Sequence, residues 1–268
     1  MKKLISIDID GTLINSKHEI SERTKKTLIE AQKQGYKIMI SSGRSPKGVE
    51  KYYKELELDK YEGYICNYNG AVVTDVKTNE VIINHTLNFD KMKEMLKFSK
   101  TQDIYFVIYF NNIVYTDNLS TYNLDDVLIK NDTLLKYVPN LVDSIDFKPN
   151  NILFTQDASK MTEPSKNIFD KFKDDFEFVY SEPFYFEAMP KNVSKGETLV
   201  EVAEKLGYSI EDTIAFGDQG NDFTMIKLAG TGVAMGNAID ELKENADFIT
   251  KTNDEDGVAY YIEKYILD

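Results

Sequence analysis

Asp8 and Asp10 stand one residue apart in Asp8-Ile9-Asp10-Gly11-Thr12, and Asp218 and Asp222 bracket a second polar turn, Gly217-Asp218-Gln219-Gly220-Asn221-Asp222. Carboxylates in such pairs can act as nucleophile, as general acid and base, or as ligands to a hard cation. Two further clusters, Ser41-Ser42-Gly43-Arg44 and Asn67-Tyr68-Asn69-Gly70, supply hydroxyls and glycine-rich turns, and Lys195 supplies an ammonium. Gly-rich turns and helix N-termini present backbone N–H groups to anions. Four acids sharing one crevice would repel and raise one another's pKa values unless a cation held them ionised, so a metal is implied. With oxygen donors at hand and no His or Cys close by in sequence, Mg²⁺ keeping some of its waters is the expected occupant. Metal and anion cradle together suggest phosphate.

The elements that must position these clusters can be read from the apolar pattern. Leu4 to Asp8 has the form of a buried strand running into a turn, and Ser21 caps a helix that Gly35 stops. Tyr36 to Ile40 follows as a second strand, Pro46 to Leu58 as a helix, and Tyr64-Ile65-Cys66 as a third strand. That β-α-β-α-β order predicts a parallel sheet with right-handed crossovers. The tail alternates likewise: helix over 193–206, strand over 213–216, helix over 222–228, strand over 233–235, helices over 239–244 and 258–266. Each predicted core strand ends in one of the polar clusters, and in such sheets the ligand crevice lies outside the carboxyl ends of the strands. The clusters should therefore meet.

Between residues 83 and 187 the pattern changes. Apolar runs 105–110 and 113–115 flank Asn111-Asn112, a hairpin signal, and antiparallel pairing is expected. Helices near 89–99, 124–129 and 165–172 and strands near 152–154 and 184–186 complete an α+β insert. The expected organisation is thus a discontinuous core, residues 1–82 and 188–268, interrupted by a second domain at 83–187 whose two connections can serve as hinges.

Composition closes off other classes. The chain has 268 residues, 42% hydrophobic and 12% aromatic, enough for a substantial core. Lys and Arg number 32 against 45 Asp and Glu, a net charge of −13, the wrong sign for neutralising a nucleic-acid backbone. One cysteine, Cys66, excludes a disulfide framework or thiolate zinc cage, fits a reducing compartment, and reads as a small buried hydrophobe. His18 and His85 leave little for His-based metal ligation. After Lys2 and Lys3 the apolar run meets Asp8 and Asp10 too soon for a signal-peptide core or a membrane span, so a soluble cytoplasmic protein is expected.

The set Asp8-x-Asp10-Gly11-Thr12, Ser42-Gly43-Arg44, Lys195-Gly196 and Gly217-Asp218-x-x-Asn221-Asp222 resembles the haloacid dehalogenase (HAD) superfamily, specifically its Cof-type phosphatases with a C2B cap. The segments 232–238 and 252–259 resemble that subfamily too, whereas the insert matches only in position and size. The resemblance implies an α/β fold: a Rossmann-like parallel-sheet HAD core carrying an α+β cap of the C2B type. It further implies a Mg²⁺-dependent phosphatase that hydrolyses small phosphorylated metabolites, sugar phosphates foremost, beneath a lid too large for protein substrates. Residue by residue, Asp8 would attack phosphorus to form an aspartyl-phosphate, and Asp10 would protonate the leaving alcohol and then activate water. The Asp8 carboxylate, the Asp10 backbone carbonyl and the Asp218 carboxylate would bind the metal, with Asp222 orienting its waters. Ser42, Gly43, Lys195 and Asn221 would form the phosphate site. The family commonly has Thr where Ser42 stands, and the adjacent Ser41 is a second candidate hydroxyl.

Plainer readings weigh against some of these. Asp8 alone would more often be a turn or cap residue, Ser42 a helix cap and Lys195 a solvated lysine; four clusters in order favour function. Arg44 is evenly balanced between anchoring substrate and pairing within its loop. A calcium loop is discounted because no acid closes it near its twelfth position. Two other functions stay open at this point: a phosphomutase of the same superfamily, which returns the phosphoryl group to a sugar, and a non-catalytic phosphometabolite sensor.

Overall fold

The computed structural model describes residues 4–267; Lys2 and Lys3 lie outside them. Two compact units divide the chain: residues 1–43, 49–83 and 194–268, and residues 44–48 with 84–193. The expected boundary at 187 falls inside a strand, and a short stretch of the N-terminal half, Arg44 to Gly48, associates with the second unit.

The first unit opens with β1 (Leu4–Ile7), four buried residues. It continues through α1 (Glu22–Lys33), β2 (Lys37–Ser41), α2 (Pro46–Glu55), of which the first three residues count with the second unit, α3 (Leu58–Tyr61), β3 (Tyr64–Asn67), β4 (Val72–Asp75) and β5 (Glu80–Asn84). Ser21 caps α1 by accepting the Thr24 N–H at 3.0 Å. The helix expected over 46–58 breaks where Glu57 takes a positive φ of 53°, starting α3 afresh.

The second unit contains α4 (Phe89–Ser99), β6 (Tyr105–Phe110), β7 (Ile113–Thr116), α5 (Leu124–Asn131), β8 (Leu134–Tyr137), α6 (Leu141–Ser144), β9 (Ile152–Thr155), α7 (Ala158–Phe172), β10 (Phe176–Glu182) and β11 (Tyr185–Pro190). Its sheet runs β10-β11-β9-β6-β7-β8. Asn111 and Asn112 take φ of 50° and 59°, the paired left-handed geometry of a tight hairpin turn, and β6 and β7 pair antiparallel. Alternate strand residues, among them Phe106, Ile108, Ile152, Phe154 and Phe186, pack with Met92, Met95, Met161, Ile168 and Phe172 of α4 and α7 into a core of their own. One departure from the antiparallel expectation is β8, parallel to β7. It is reached across α5, because a parallel neighbour needs a crossover and a hairpin cannot supply one.

The chain then returns to the first unit with α8 (Lys195–Lys205), β12 (Thr213–Gly217), α9 (Phe223–Leu228), β13 (Thr231–Ala234), α10 (Asp240–Asn245), β14 (Phe248–Ile249) and α11 (Gly257–Tyr265). Its eight strands run β14-β13-β12-β1-β2-β3-β4-β5, parallel from β14 to β3, while β4 turns back antiparallel on β3. The four strands that end in polar clusters are neighbours, in the order β12-β1-β2-β3. Connections leave β1 in opposite directions, to β2 on one side and ultimately β12 on the other, the kind of switch point at which such sheets bind ligands beyond the carboxyl ends of their strands. Among the described residues no helix is long and apolar enough to cross a membrane.

Candidate active site

Asp8 follows the last residue of β1, its backbone N–H still donating to the Phe216 carbonyl of β12 at 3.1 Å. The next residues leave the strand in one wide turn: the Leu13 N–H reaches the Asp8 carbonyl and the Ile14 N–H the Ile9 carbonyl, both at 3.1 Å. Gly11 has φ +79°, and a Cβ there would lie 2.3 Å from Asp218 Oδ2, so both conformation and space require glycine. The backbone of the first acidic loop therefore lies directly against a carboxylate of the second.

Lys195 is the first residue of α8, an unfavourable place for a cation with respect to the helix dipole. Specific bonds fix it there. Ser194 caps the helix, and the Thr224 hydroxyl near the start of α9 meets both the Ser194 hydroxyl at 2.8 Å and the Gly196 N–H at 3.1 Å. The fully buried Lys195 ammonium donates to Asp8 Oδ1 at 2.5 Å and to Asp222 Oδ1 at 2.6 Å. Asp222 in turn accepts the backbone N–H groups of Asp218 and Gln219 on its Oδ2, at 2.9 and 3.1 Å. Asp218 Oδ1 accepts the Thr12 hydroxyl at 2.7 Å.

Electrostatics follow from crowding. Burial first, then the Asp222 charge, lifts the Asp8 carboxyl well above the ordinary carboxylate range, with Lys195 pulling the other way. The same two causes push Asp218 to about 7 against the opposing effects of the Thr12 hydroxyl and Lys195. Burial alone would lower the Lys195 pKa; the Asp222 and Asp8 charges outweigh it and raise it. Asp10 is half-buried, and its charge raises both Asp8 and Asp218.

Asp8, Asp218 and Asp222 present oxygens all within 4.8 Å of one another, close enough to hold a metal ion. Three carboxylates meet one ammonium there, so a divalent cation fits both the all-oxygen donor set and the uncompensated charge.

The remaining residues expected at the site fall into two places. Ser42, buried just past β2, donates its backbone N–H to the Cys66 carbonyl at 2.8 Å and accepts the Asn69 N–H at 3.1 Å. Asn221 Nδ2 donates to Asn69 Oδ1 at 3.0 Å, so the backbone of Asn69 joins Ser42 while its side chain joins Asn221. Gly43, half-buried, comes next in the chain. Arg44 belongs to the second unit, where its Nη1 donates to the Lys130 carbonyl at 3.2 Å and the Gly48 carbonyl at 3.4 Å. Ser41, the alternative hydroxyl, ends β2 fully buried in register with Cys66.

Sequence reasoning assigned no role to four residues that hold this arrangement. Thr12 binds Asp218; Asn69 links Ser42 to Asn221; Asn237 Nδ2 donates to the Gly11 carbonyl at 2.8 Å; Asn253 donates its N–H to Asn237 Oδ1 at 3.0 Å and its Nδ2 to the Ile14 carbonyl at 2.8 Å. Each lies in a segment that carries the resemblance or in a strand-end cluster, which is the signal that pointed to them.

Comparison with known proteins identifies the family. The sequence pattern of the family described as haloacid dehalogenase-like hydrolase matches residues 5–262. A relative from Bacillus subtilis (strain 168), the 5-amino-6-(5-phospho-D-ribitylamino)uracil phosphatase YcsE, is 33% identical over 99% of this chain and 96% of its own. Among solved structures, a haloacid dehalogenase-like hydrolase from Bacteroides thetaiotaomicron superposes with a TM-score of 0.88 at 33% identity, covering 98% of this chain and 99% of that one. The HAD subclass IIB sugar phosphatase BT4131 superposes with a TM-score of 0.85 at 26% identity over the whole of both chains.

Proposed function

Because the chain belongs to the haloacid dehalogenase-like hydrolase family and is a phosphatase of its Cof type, we propose that it is a Mg²⁺-dependent hydrolase of small phosphorylated metabolites, sugar phosphates foremost, acting through an aspartyl-phosphate on Asp8. The observation that carries this reading is the shared contact of Lys195 with Asp8 and Asp222 beside Asp218. The sugar-phosphate class draws support from the likeness to a sugar phosphatase structure.

In the first step an Asp8 oxygen attacks phosphorus, the ester P–O bond breaks, and the leaving oxygen takes the proton that Asp10 carries. Lys195 engages Oδ1, which leaves Oδ2 as the attacking atom. In the second step water attacks the phosphorus of the aspartyl-phosphate, Asp10 accepts its proton, and the bond to Asp8 breaks, releasing inorganic phosphate. Asp10 is half-buried where Asp8 is buried, and that suits a group that must regain and lose protons. Ser42 and Lys195 donate to the phosphoryl oxygens, where charge spreads in the transition state. Asp8, Asp218 and the Asp10 carbonyl, with Asp222 orienting its waters, would hold Mg²⁺, which would supply charge neutralisation at the phosphoryl group.

A screen of phosphorylated metabolites for phosphate release in the presence of Mg²⁺ tests activity and substrate class together. Release from hexose or pentose phosphates is expected. Absence of release from every ester, or isomerised sugar phosphate in place of free phosphate, would overturn the reading.

A further inference from the structure

The wide turn that carries Asp10 is closed at its ends by its own backbone, Asp8 to Leu13 and Ile9 to Ile14. Its middle has the geometry of a type II turn: Asp10 takes φ −78° and ψ 117°, and Gly11 φ 79° and ψ −1°. Glycine there admits the type I alternative as well, so the middle of the turn needs a hold from outside to keep one form. Asn237 provides it. Its Nδ2 donates to the Gly11 carbonyl at 2.8 Å, from a loop that is itself bonded to the end of β12: the Met235 N–H donates to the Gly217 carbonyl and the Ile239 N–H to the Asp218 carbonyl, both at 3.0 Å. The orientation of the Asn237 amide is set from its other side. Its Oδ1 accepts the Asn253 N–H at 3.0 Å, and Asn253 Nδ2 donates to the Ile14 carbonyl at 2.8 Å, at the exit of the same turn. A capping box between Thr252 and Glu255 and the bond from the Ser16 N–H to Asp254 Oδ1 at 2.8 Å fasten that segment.

Asn237 is exposed, and an exposed hydrogen bond, in competition with water, adds little to stability. Its consequence is geometric. Gly11 follows Asp10 directly, so a shift of the Gly11 peptide passes to the Asp10 backbone and through it to the carboxyl. We infer that Asn237 is a positioning residue for proton transfer: by tying the Gly11 carbonyl to the loop beyond β13, it fixes the turn from which Asp10 protonates the leaving oxygen. Every residue in this chain of bonds belongs to the first unit. The inference rests on the phosphatase reading above and adds to it a residue that acts through Asp10. Displacement of a catalytic group by about 1 Å can cost about 100-fold in rate, and loss of one exposed bond, which relaxes the turn only in part, should cost about 10-fold.

The test uses the full-length enzyme, Mg²⁺ and two aryl phosphates whose leaving groups differ in their need for a proton: 4-nitrophenyl phosphate, which needs it less, and 4-methoxyphenyl phosphate, which needs it more. The ratio kcat/KM reports phosphorylation of Asp8 separately from the hydrolysis that follows. Asn237→Ala is expected to lower kcat/KM about 10-fold for the methoxy ester and no more than about threefold for the nitro ester. In an Asp10→Asn background, where no acid is left to position, the same substitution should cost less than about twofold on either ester. Asn253→Ala, which releases the Ile14 carbonyl at the exit of the turn, should give the same pattern and serves if Asn237→Ala does not fold. Equal losses on the two esters, a loss of full size in the Asp10→Asn background, or rates within about twofold of the parent on both esters would overturn the inference while leaving the phosphatase intact. A parent inert toward every phosphate ester would remove both.

Discussion

The ammonium of Lys195 and the carboxylate of Asp8, 187 positions apart in the chain, meet at 2.5 Å with the lysine wholly buried. A buried ion pair is a weak source of stability, because desolvating both charges offsets most of their attraction. Its value here is placement. Lys195 also holds Asp222, and Asp222 in turn accepts the Asp218 N–H, so one cation sets the spacing of three acids drawn from β1, β12 and the start of α9.

Lys195→Met should expose that dependence. Removing one partner of a buried pair costs about 3–5 kcal/mol, so a marked fall in melting temperature is expected in chelator. Added Mg²⁺ should restore part of the stability by neutralising the acids, yet turnover should stay about 100-fold to 1,000-fold below the parent for want of a phosphoryl donor. Differential scanning fluorimetry and phosphate release, each with and without Mg²⁺, check the two halves separately.

Asp10→Asn separates the two chemical steps. The variant keeps the loop geometry, since the wide turn is made by backbone bonds of Asp8, Ile9, Leu13 and Ile14. Loss of general acid–base catalysis should slow turnover by about 100-fold to 10,000-fold. Aryl phosphates, whose leaving groups need little protonation, should still phosphorylate Asp8 and give a burst of phenol before slow hydrolysis. Steady-state rates equal to the parent would refute the acid–base assignment, while Asp8→Asn should abolish turnover altogether and leave the protein folded.

Much of this was legible because the signals were local. The run over 4–8, the Ser21 cap and the Asn111-Asn112 turn each encode their own geometry, and α4 spans the residues its pattern marks, Phe89–Ser99. The meeting of the acidic clusters was legible too, since parallel strands ending in polar residues share one edge. Less legible were β4, β5, β8, β10 and β14. Leu134 to Tyr137 of β8 is exposed along its length and shows no alternation, so periodicity has nothing to grip. Thr12 and Asn69 act through side-chain bonds to partners far along the chain, with separations of 206 and 152 positions, and residue type alone does not specify the partner.

Cys66 offers a negative control. Burial pushes its thiol up to about 11 against weak opposition from the Ser41 hydroxyl and Lys195. At neutral pH it holds almost no thiolate, and the thiolate is the reactive form. Native protein should therefore react with a disulfide reagent such as DTNB only on unfolding, and iodoacetamide should leave activity unchanged. Prompt stoichiometric labelling with inactivation would place the thiol within reach of the site.

Metal and protons should compete at the acidic cluster. In the metal-free protein the Asp218 carboxyl sits at about 7, whereas in the unfolded chain it returns to about 3.9. Between those values the folded state binds a proton that the unfolded state has released, so stability must fall as pH rises from about 4 to about 7. The raised Asp8 carboxyl acts in the same direction. Metal binding requires the ionised form, and Mg²⁺ affinity should climb about tenfold per pH unit below 7 and level off above it. In EDTA the melting temperature should drop between pH 5 and 8; in excess Mg²⁺ the drop should shrink or reverse, and hydrolysis lost in chelator should return with Mg²⁺ alone. Asp218→Asn separates this cluster from the general repulsion of a chain with net charge −13: it should flatten both the chelator slope and the metal response. A slope that persists unchanged in Asp218→Asn would assign the pH dependence to the surface and not to the site.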